Sequence, residues 1–312
     1  MSKLAVIALG GNSIIKSTQK GTIDEQESNS DETSKYLIEL VKKGYNLIIT
    51  HGNGPQVGNI LLRNEAANQM WGIPVMPLDI CVADSEGGMG YMLQRSMCNE
   101  LNRQKIDKKV VTVISQVLVD KNDKAFSNPT KPIGPFYDEA RAQELMKEKG
   151  WVIKEDSGRG WRRVVPSPKP VGFMELDIVK DLVEKDYIVI AGGGGGVPVS
   201  RHEDGYLEAI EAVIDKDLAS AYIAKELNAD IFIILTGVPK VAVNFNKPDE
   251  KWLDMISVKD AEKYLSENQF PAGSMGPKIQ AAVDFVKTTG KEVVITSQEE
   301  LGKAEYGTKV VK

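Results

Sequence analysis

Three glycine clusters, each following a short apolar run, constrain the fold of this chain more than any other feature. Residues 4–9 lead into glycines 10 and 11, residues 47–49 into glycines 52 and 54, and residues 188–191 into five glycines at 192–196. Short β-branched runs that end in glycine are typical of buried parallel strands. In open α/β sheets, ligands bind at the carboxyl ends of such strands, and bare backbone N–H groups favour phosphate. We therefore predict an anion site shared by the three loops.

Strand-like and helix-like segments alternate along the rest of the chain. The first predicted helix carries Leu37, Leu40 and Val41, is expected to be capped by Ser30 or Asp31, and ends at Gly44. Further helices are predicted over residues 175–185, 216–227 and 277–288, and strands over residues 46–50, 110–114, 188–191, 231–235 and 293–296. This alternation predicts a mostly parallel sheet with helices on both faces.

Residues 117–170 interrupt the alternation. The segment is rich in proline, and two short apolar runs, 151–153 and 164–165, flank residues 157–160 in the manner of a hairpin. A short helix is expected near residues 138–147. An excursion of this kind at the ligand edge of a sheet predicts a small lid subdomain. A surface decoration remains the alternative.

Composition excludes several classes of protein. With 312 residues, of which 42% are apolar, the chain forms a large core without disulfides or structural metals. Cys81 and Cys98 have no C-x-x-C spacing, so no disulfide is expected. The net charge of -5 comes from well-mixed acidic and basic residues, which argues against a nucleic-acid partner. The run at residues 4–9 is too short for a signal peptide or a membrane span, so a cytoplasmic protein without a membrane partner is expected.

The common catalytic motifs are missing, whereas three lysines stand out. The chain has no P-loop, no dinucleotide fingerprint, no nucleophile elbow and no metal-ligand spacing around its two histidines. Lys216 lies between two aspartates, Lys278 follows the glycines at 273 and 276, and Lys131 lies in the proline-rich insertion. Phosphoryl transfer depends on positive charge around the migrating group, and lysines beside glycine loops supply it. For each lysine alone, a solvated surface charge is the alternative.

Six segments of the chain together resemble the motifs of carbamate kinases, which belong to the amino acid kinase superfamily. They include Ala-Leu-Gly-Gly-Asn at 8–12, His-Gly-Asn-Gly-Pro-Gln-Val-Gly at 51–58 and Leu-Thr-Gly-Val at 235–238; the others lie at 191–199, 213–220 and 273–278. The resemblance implies a three-layer α/β/α sandwich with a mostly parallel open sheet and a small protruding lid subdomain. It implies an N-terminal lobe over residues 1–205 that binds carbamate or carbamoyl phosphate, with the lid inserted at about 117–170, a C-terminal nucleotide-binding lobe over 206–312, and a homodimer.

The same resemblance implies roles for particular residues. Lys131, Lys216 and Lys278 would be catalytic cations, with Asp217 orienting the last two. The predicted substrate-binding residues are Gly10, Gly11, Asn12, Gly52, Asn53 and Gly54. The predicted nucleotide-binding residues are Gly193, Gly194, Asp215, Thr236, Gly237, Val238 and Met275. The implied substrates are ATP or ADP with carbamate or carbamoyl phosphate, and the implied cofactor is Mg²⁺, held mainly by the nucleotide phosphates with no protein metal site.

The residue at position 8 separates this resemblance from sibling families. Many amino acid kinases, such as acetylglutamate kinases, place a lysine where this chain has Ala8. Carbamate kinases supply the missing charge from the protruding subdomain, and Lys131 matches that residue. Two alternatives stay open: a sibling kinase acting on acetylglutamate, glutamate or uridylate, against which Ala8 and Lys131 argue, and a non-catalytic nucleotide or phosphate sensor, against which the complete set of charges argues.

Overall fold

The structure is a computed structural model that describes residues 3–16, 18–156, 160–271, 273–301, 303 and 306–312, without the side chain of Asn12. Its α-helices are α1 (Ile23–Lys42), α2 (Gly54–Trp71), α3 (Leu78–Arg103), α4 (Glu139–Lys149), α5 (Leu176–Glu184), α6 (Lys216–Glu226), α7 (Val258–Ser266) and α8 (Met275–Thr289). Short 3-10 helices occupy Gly11–Ser13, Gly193–Gly195 and Gln298–Glu300.

The strands of the described residues form one large sheet and three small ones. In chain order they are β1 (Lys3–Leu9), β2 (Tyr45–His51), β3 (Val110–Thr112), β4 (Gln116–Val119), β5 (Lys131–Tyr137), β6 (Ile153–Glu155), β7 (Trp161–Val165), β8 (Pro170–Phe173), β9 (Ile188–Ile190), β10 (Val197–Arg201), β11 (Leu207–Ala209), β12 (Ile231–Leu235), β13 (Val241–Val243), β14 (Lys251–Leu253), β15 (Met255–Ser257), β16 (Val293–Thr296) and β17 (Thr308–Val311).

The large sheet has eight strands in the order β15-β17-β16-β12-β1-β2-β9-β3. Its pairs are parallel except for β16 with β17. Strand β1 lies in the middle, with β2 on one side and β12 on the other, so the chain winds outward in both directions from it. A topological switch point of this kind leaves a crevice at the carboxyl ends of the strands. The predicted α/β fold with a mostly parallel sheet is confirmed.

Both faces of the large sheet are buried, which explains the continuous apolar runs in the sequence. Alternate residues of β1 point to opposite sides: Val6 packs into a core with α6 and α8, whereas Ile7 packs into a core with α1 and α3. Both side chains are fully buried. Burying an aliphatic side chain of this size contributes about 1.5–3 kcal/mol relative to exposure. The two cores make the molecule a helix–sheet–helix sandwich.

Helix α1 begins earlier than the sequence analysis predicted. Its N-cap is Thr22, whose side chain accepts a hydrogen bond from the Glu25 backbone N–H while the Glu25 carboxylate accepts from the Thr22 N–H. This capping box makes the expected cap at Ser30 or Asp31 wrong, because both residues lie inside the helix. Apart from the exposed Ile23, the first two turns are polar, so the apolar periodicity of the rest of the helix does not extend to its start.

The segment that interrupts the alternation forms a small antiparallel sheet, β5-β7-β6, with α4 packed against it. Residues 157–159, part of the expected hairpin turn, lie outside the described residues, but β6 and β7 pair antiparallel as expected. Ile133 of β5 packs into a cluster with Val57 of α2. The two ends of the segment lie in β4 and β8, which pair with each other in a second sheet, β11-β10-β4-β8. The insertion therefore begins and ends at two neighbouring strands of the second sheet.

Helix α3 carries both cysteines, Cys81 buried and Cys98 half-buried, several turns apart. Across the described ranges, no helix combines the length and the apolar character needed to cross a bilayer.

Candidate active site

A cavity of about 320 Å³ lies at the carboxyl ends of the central strands. Loops from both ends of the sequence line it, and so does the insertion. The predicted site residues among its lining are Gly11, Gly52, Asn53, Gly54, Lys131, Gly194, Asp215, Lys216, Asp217 and Lys278. The structure thus brings together side chains from four separate segments of the chain. Asn12 was also predicted here, but its side chain lies outside the described residues.

The first two glycine loops pass close to their neighbours. A Cβ atom built on Gly10 would lie 2.4 Å from the Leu235 carbonyl oxygen at the end of β12. Gly10, a predicted substrate-binding residue that is not part of the cavity lining, therefore allows the loops after β1 and β12 to touch. The aliphatic stem of Lys216 lies against Gly52, where a built Cβ would be 3.4 Å from the Lys216 Cδ atom. Any side chain at Gly10 would push the loops after β1 and β12 apart.

Asp217 joins two of the predicted catalytic lysines. Lys216 Nζ donates to Asp217 Oδ1 at 2.5 Å, and Lys278 Nζ donates to Oδ2 at 2.8 Å. Lys216 and Asp217 lie in the first turn of α6, whereas Lys278 lies in the first turn of α8. All three side chains are at least 87% buried, with exposed fractions of 11% for Lys216, 4% for Asp217 and 13% for Lys278. One carboxylate therefore holds two ammonium groups beside each other at the wall of the cavity.

The charges of this triad shift its protonation equilibria. Burial opposes ionisation of Asp217, but Lys216 and Lys278 outweigh it and lower the pKa of Asp217 to about 2. Burial lowers the pKa of Lys216, and Lys278 lowers it further, while Asp217 opposes both. At neutral pH Asp217 is a carboxylate with no role as a proton donor. Its negative charge compensates part of the repulsion between the two lysines.

Lys131 reaches the same cavity from strand β5. Its Nζ atom donates to Asp215 Oδ2 at 2.9 Å. The other carboxylate oxygen of Asp215 accepts from the Asp217 backbone N–H at 2.9 Å and caps α6. Asp215 was predicted to bind the nucleotide, yet it lies in this first cavity, paired with Lys131.

Three helices begin at the cavity wall. Gly54 starts α2, Lys216 starts α6 and Met275 starts α8. The amino ends of helices carry partial positive charge and unpaired N–H groups, which attract anions. With three lysines against two aspartates, this end of the sheet attracts negatively charged ligands.

The third glycine loop follows β9 and adopts a backbone that favours glycine. Gly192, Gly194, Gly195 and Gly196 all have positive φ, between 64° and 97°. Gly194 lines the cavity, and a Cβ built there would lie 2.2 Å from Asn53 Nδ2. Gly193 was predicted to face phosphate, but its N–H group already donates to Glu86 Oε1 at 2.9 Å. The structure therefore brings Gly194 to the cavity and leaves Gly193 behind it.

Glu86 on α3 is a site residue that the sequence analysis missed. Its second oxygen accepts from the Ser115 N–H at 3.2 Å, and Ser115 Oγ accepts from the Gly192 N–H at 2.8 Å. Burial raises the pKa of Glu86 to about 8, although these N–H groups favour the carboxylate. The sequence offered little signal for it, because the same stretch of the helix also carries Asp84, which is exposed. Glu86 and Ser115 together fasten the third glycine loop to α3 and to the loop after β3.

Two further polar residues support the second glycine loop. Asn53 Nδ2 donates to Ser85 Oγ at 2.8 Å. His51 is fully buried, and its Nδ1 lies 3.1 Å from the Gly52 carbonyl oxygen, which requires Nδ1 to carry the proton. Burial lowers the pKa of His51 to about 4, with Lys216 adding to the effect. His51 is therefore neutral and holds the Gly52 carbonyl of the second glycine loop.

A second cavity of about 280 Å³ adjoins the first at Ser274. The residues predicted to border the nucleotide, Thr236, Gly237, Val238 and Met275, all line it. Phe245 and Trp252 meet edge to face in its wall, with ring centroids 6.1 Å apart. Aromatic and apolar side chains dominate the lining of this cavity, whereas lysines and aspartates dominate that of the first. A third cavity of about 330 Å³, between α6 and α8, contains none of the predicted site residues.

The arrangement of the potential metal-ligating side chains shows whether the protein itself could hold an ion. No group of three or more histidine, cysteine, aspartate or glutamate residues in the described ranges is arranged to hold an ion. Both carboxylates of the first cavity, Asp215 and Asp217, are already paired with lysines. These residues fit a metal that arrives with a phosphate ligand better than one held by protein side chains alone.

The fold and the site together define a class of phosphoryl-transfer proteins. The family model described as the amino acid kinase family matches residues 3–297. The chain belongs to this family and is a kinase.

Its full-length relatives narrow the class. Carbamate kinases from Thermococcus kodakarensis and Pyrococcus horikoshii are 51% and 52% identical to it, with 99% and 98% of each chain covered. A solved structure of carbamate kinase from Giardia lamblia bound to AMP-PNP is 42% identical, covers 100% of this chain and 99% of its own, and has a TM-score of 0.93. The resemblance to carbamate kinases is confirmed.

Proposed function

We propose that this chain is a carbamate kinase that catalyses reversible phosphoryl transfer between ATP and carbamate. The observation that carries the proposal is the convergence of Lys131, Lys216 and Lys278 on one cavity next to the glycine loops. A cavity lined by three lysines and by the amino ends of three helices would stabilise a phosphoryl group during its transfer between two anions. The full-length identity of about 50% to carbamate kinases supports the same activity.

The two adjoining cavities divide the substrates between them. The first cavity, with Gly11, Gly52, Asn53 and Gly54, would hold carbamate or carbamoyl phosphate. We propose that Gly10 and Asn12, the neighbours of Gly11, belong to the same substrate-binding loop. The second cavity, with Thr236, Gly237, Val238 and Met275, would hold the nucleotide base against aromatic residues. Gly194, in the lining of the first cavity, would contact the phosphates.

The chemistry needs little from the protein beyond positioning and charge. The attacking carbamate oxygen is already anionic, so no general base is required. Lys216 and Lys278 would neutralise the phosphoryl oxygens, Asp217 would hold both lysines in place, and Lys131 would neutralise the acceptor end. The nucleotide phosphates would hold Mg²⁺, which would supply further neutralising charge, because Asp215 and Asp217 are already paired with lysines. ATP formation from ADP and carbamoyl phosphate is the easier direction, since acyl phosphates are high-energy compounds.

One assay tests the proposal. The purified protein is incubated with MgADP and carbamoyl phosphate, and ATP is measured with and without EDTA. We expect ATP formation that EDTA abolishes. A folded protein that binds ADP and makes no ATP would be a sensor and not a kinase for this substrate. Parallel incubations with acetylglutamyl phosphate, glutamyl phosphate and UDP test the sibling activities.

We also propose that the protein is a homodimer of the cytoplasm. A run of exposed large apolar residues surrounds the connection between α2 and α3: Met70, Trp71, Ile73, Val75 and Met76. Trp71 is 71% exposed. Contiguous apolar surface of this kind typically marks a protein interface, and a second copy of this chain is the occupant we propose.

A further inference from the structure

The ion pair between Lys131 and Asp215 joins the insertion to the helix that carries Lys216. Lys131 lies on β5 of the insertion, and Asp215 caps α6 in the body of the molecule. Their atoms Nζ and Oδ2 are 2.9 Å apart, and the side chains are 34% and 14% exposed. Asp215 is the acidic partner of Lys131 among the described residues. Both side chains line the first cavity.

We propose that Asp215 is a positioning residue, which holds the ammonium group of Lys131 over the acceptor end of the cavity. This inference rests on the proposed function, because it assigns Asp215 to the carbamoyl phosphate side and away from nucleotide binding. The evidence is geometric: Asp215 lines the charged cavity, and the aromatic second cavity is lined by other residues.

The two oxygens of Asp215 couple the position of Lys131 to that of the other lysines. Oδ1 is fixed by the Asp217 N–H, so the carboxylate cannot rotate without uncapping α6. Oδ2 then presents a fixed acceptor to Lys131. A lysine side chain has about four rotatable bonds and loses considerable conformational entropy when it is held in one conformation. Because the fixed carboxylate already holds Lys131, the lysine side chain has less conformational entropy left to lose when carbamoyl phosphate binds.

The sign of the effect separates positioning from simple electrostatics. Removing the negative charge of Asp215 makes the cavity more positive, and charge alone would then strengthen the binding of an anion. If Asp215 acts by placing Lys131, its removal weakens the binding of the anion instead. The two explanations therefore predict opposite changes for the same substitution.

Asp215→Asn is the informative variant, because asparagine caps helices as well as aspartate does and the fold is retained. We expect kcat/KM for carbamoyl phosphate to fall about tenfold, the scale of one charge-assisted hydrogen bond, with the affinity for ADP unchanged. In a Lys131→Ala background the same substitution should have no further effect. A full effect in that background would mean that Asp215 acts through Lys216, and the inference would be wrong.

The chain offers a matched control. Lys149 on α4 of the insertion pairs with Glu65 on α2, also at 2.9 Å and with the lysine also 34% exposed, but away from the cavity. Glu65→Gln breaks this second link between the insertion and the body. We expect it to leave kcat/KM for carbamoyl phosphate unchanged. An equal loss in Glu65→Gln would show that docking of the whole insertion is the cause, which would overturn the inference.

Calorimetry separates this inference from the proposed function. Carbamoyl phosphate and ADP are titrated separately into the wild type and Asp215→Asn. A wild type that binds carbamoyl phosphate but makes no ATP refutes only the proposed kinase activity, and weaker binding by Asp215→Asn still supports the inference. Equal or tighter binding of carbamoyl phosphate by Asp215→Asn overturns the inference while leaving the kinase activity intact. A wild type that binds no carbamoyl phosphate overturns both.

Discussion

Single residues decide the charge of this site, and the central one is Asp217. Its carboxylate has a pKa of about 2 and is surrounded by two lysines that are almost fully buried. Isolated buried ammonium groups are costly, so each lysine depends on this shared partner. The motif resemblance implied that Asp217 orients both lysines, and the structure brings Lys278 to it from a helix more than fifty residues away.

Replacing Lys216 or Lys278 with alanine tests the role of these two cations. Both would stabilise charge that develops on the transferring phosphoryl group, so we expect kcat to fall by about 10² to 10³ in each variant. The affinity for ADP should change less. Steady-state kinetics with MgADP and carbamoyl phosphate, with thermal melting as a check on folding, provide the measurement.

Matched controls lie farther along the same two helices. Lys225 on α6 and Lys287 on α8 form surface ion pairs with Glu226 and Glu262. Their alanine variants should keep the wild-type kcat. If the Lys216→Ala and Lys278→Ala variants also keep it, both residues are structural charges and the proposed mechanism is wrong.

At the scale of elements, the third glycine loop depends on helix α3. Glu86 and Ser115 accept hydrogen bonds from the N–H groups of Gly193 and Gly192. The loop has little conformational preference of its own, since four of its five residues are glycines with positive φ. Its shape is therefore imposed by neighbours that lie far away in the sequence.

The pH dependence of stability tests this attachment. The pKa of Glu86 rises from 4.5 to about 8 on folding, so the folded protein binds a proton that the unfolded chain releases between these values. The contribution of the protonated Glu86 to the free energy of unfolding is complete below about pH 4.5 and is lost as pH rises through 8. The loss is at most about 1.4 kcal/mol per pH unit. Glutamine does not titrate. We therefore expect the free energy of unfolding of Glu86→Gln, relative to wild type, to rise between pH 5 and pH 8.

Urea unfolding at several pH values provides the measurement, and Glu100 on the same helix is the control. Burial opposes ionisation of Glu100, but Gln104 and Arg103 outweigh it and lower its pKa. Its stabilisation is present at neutral pH and lost in acid, so Glu100→Gln should differ from wild type by a constant amount above pH 6. A flat difference for Glu86→Gln as well would mean that Glu86 is ionised in the folded protein.

At the scale of the whole molecule, the apolar surface between α2 and α3 is the face that we propose a second copy of the chain covers. If a second copy covers it, a charge at its centre would be buried without a partner, and the dimer would dissociate. We expect Trp71→Asp to give a monomer in sedimentation velocity experiments. Ile178→Asp on α5 is the control, because Ile178 is 56% exposed and lies outside that surface. A wild type that sediments as a monomer would refute the homodimer.

Much of the architecture followed from the sequence because it depends on local patterns. Continuous apolar runs ending in glycine indicated buried parallel strands, and β1, β2 and β9 each end beside the predicted loops. The motif resemblance pointed to the lysines, and the cavity contains all three. Local patterns failed at the start of α1, where a capping box precedes a polar stretch without apolar periodicity.

The sequence by itself determined which segments form the central strands of the large sheet and where their glycine loops fall, and its motifs indicated which lysines to expect at the site. Only the tertiary structure decided which groups meet. The pairing of Asp215 with Lys131 and the attachment of the glycine loop to Glu86 both join residues that are distant along the chain, and neither was expected from the sequence. The physical reason is that burial, charge compensation and hydrogen bonding act through space, and sequence spacing records only the contacts within a single element.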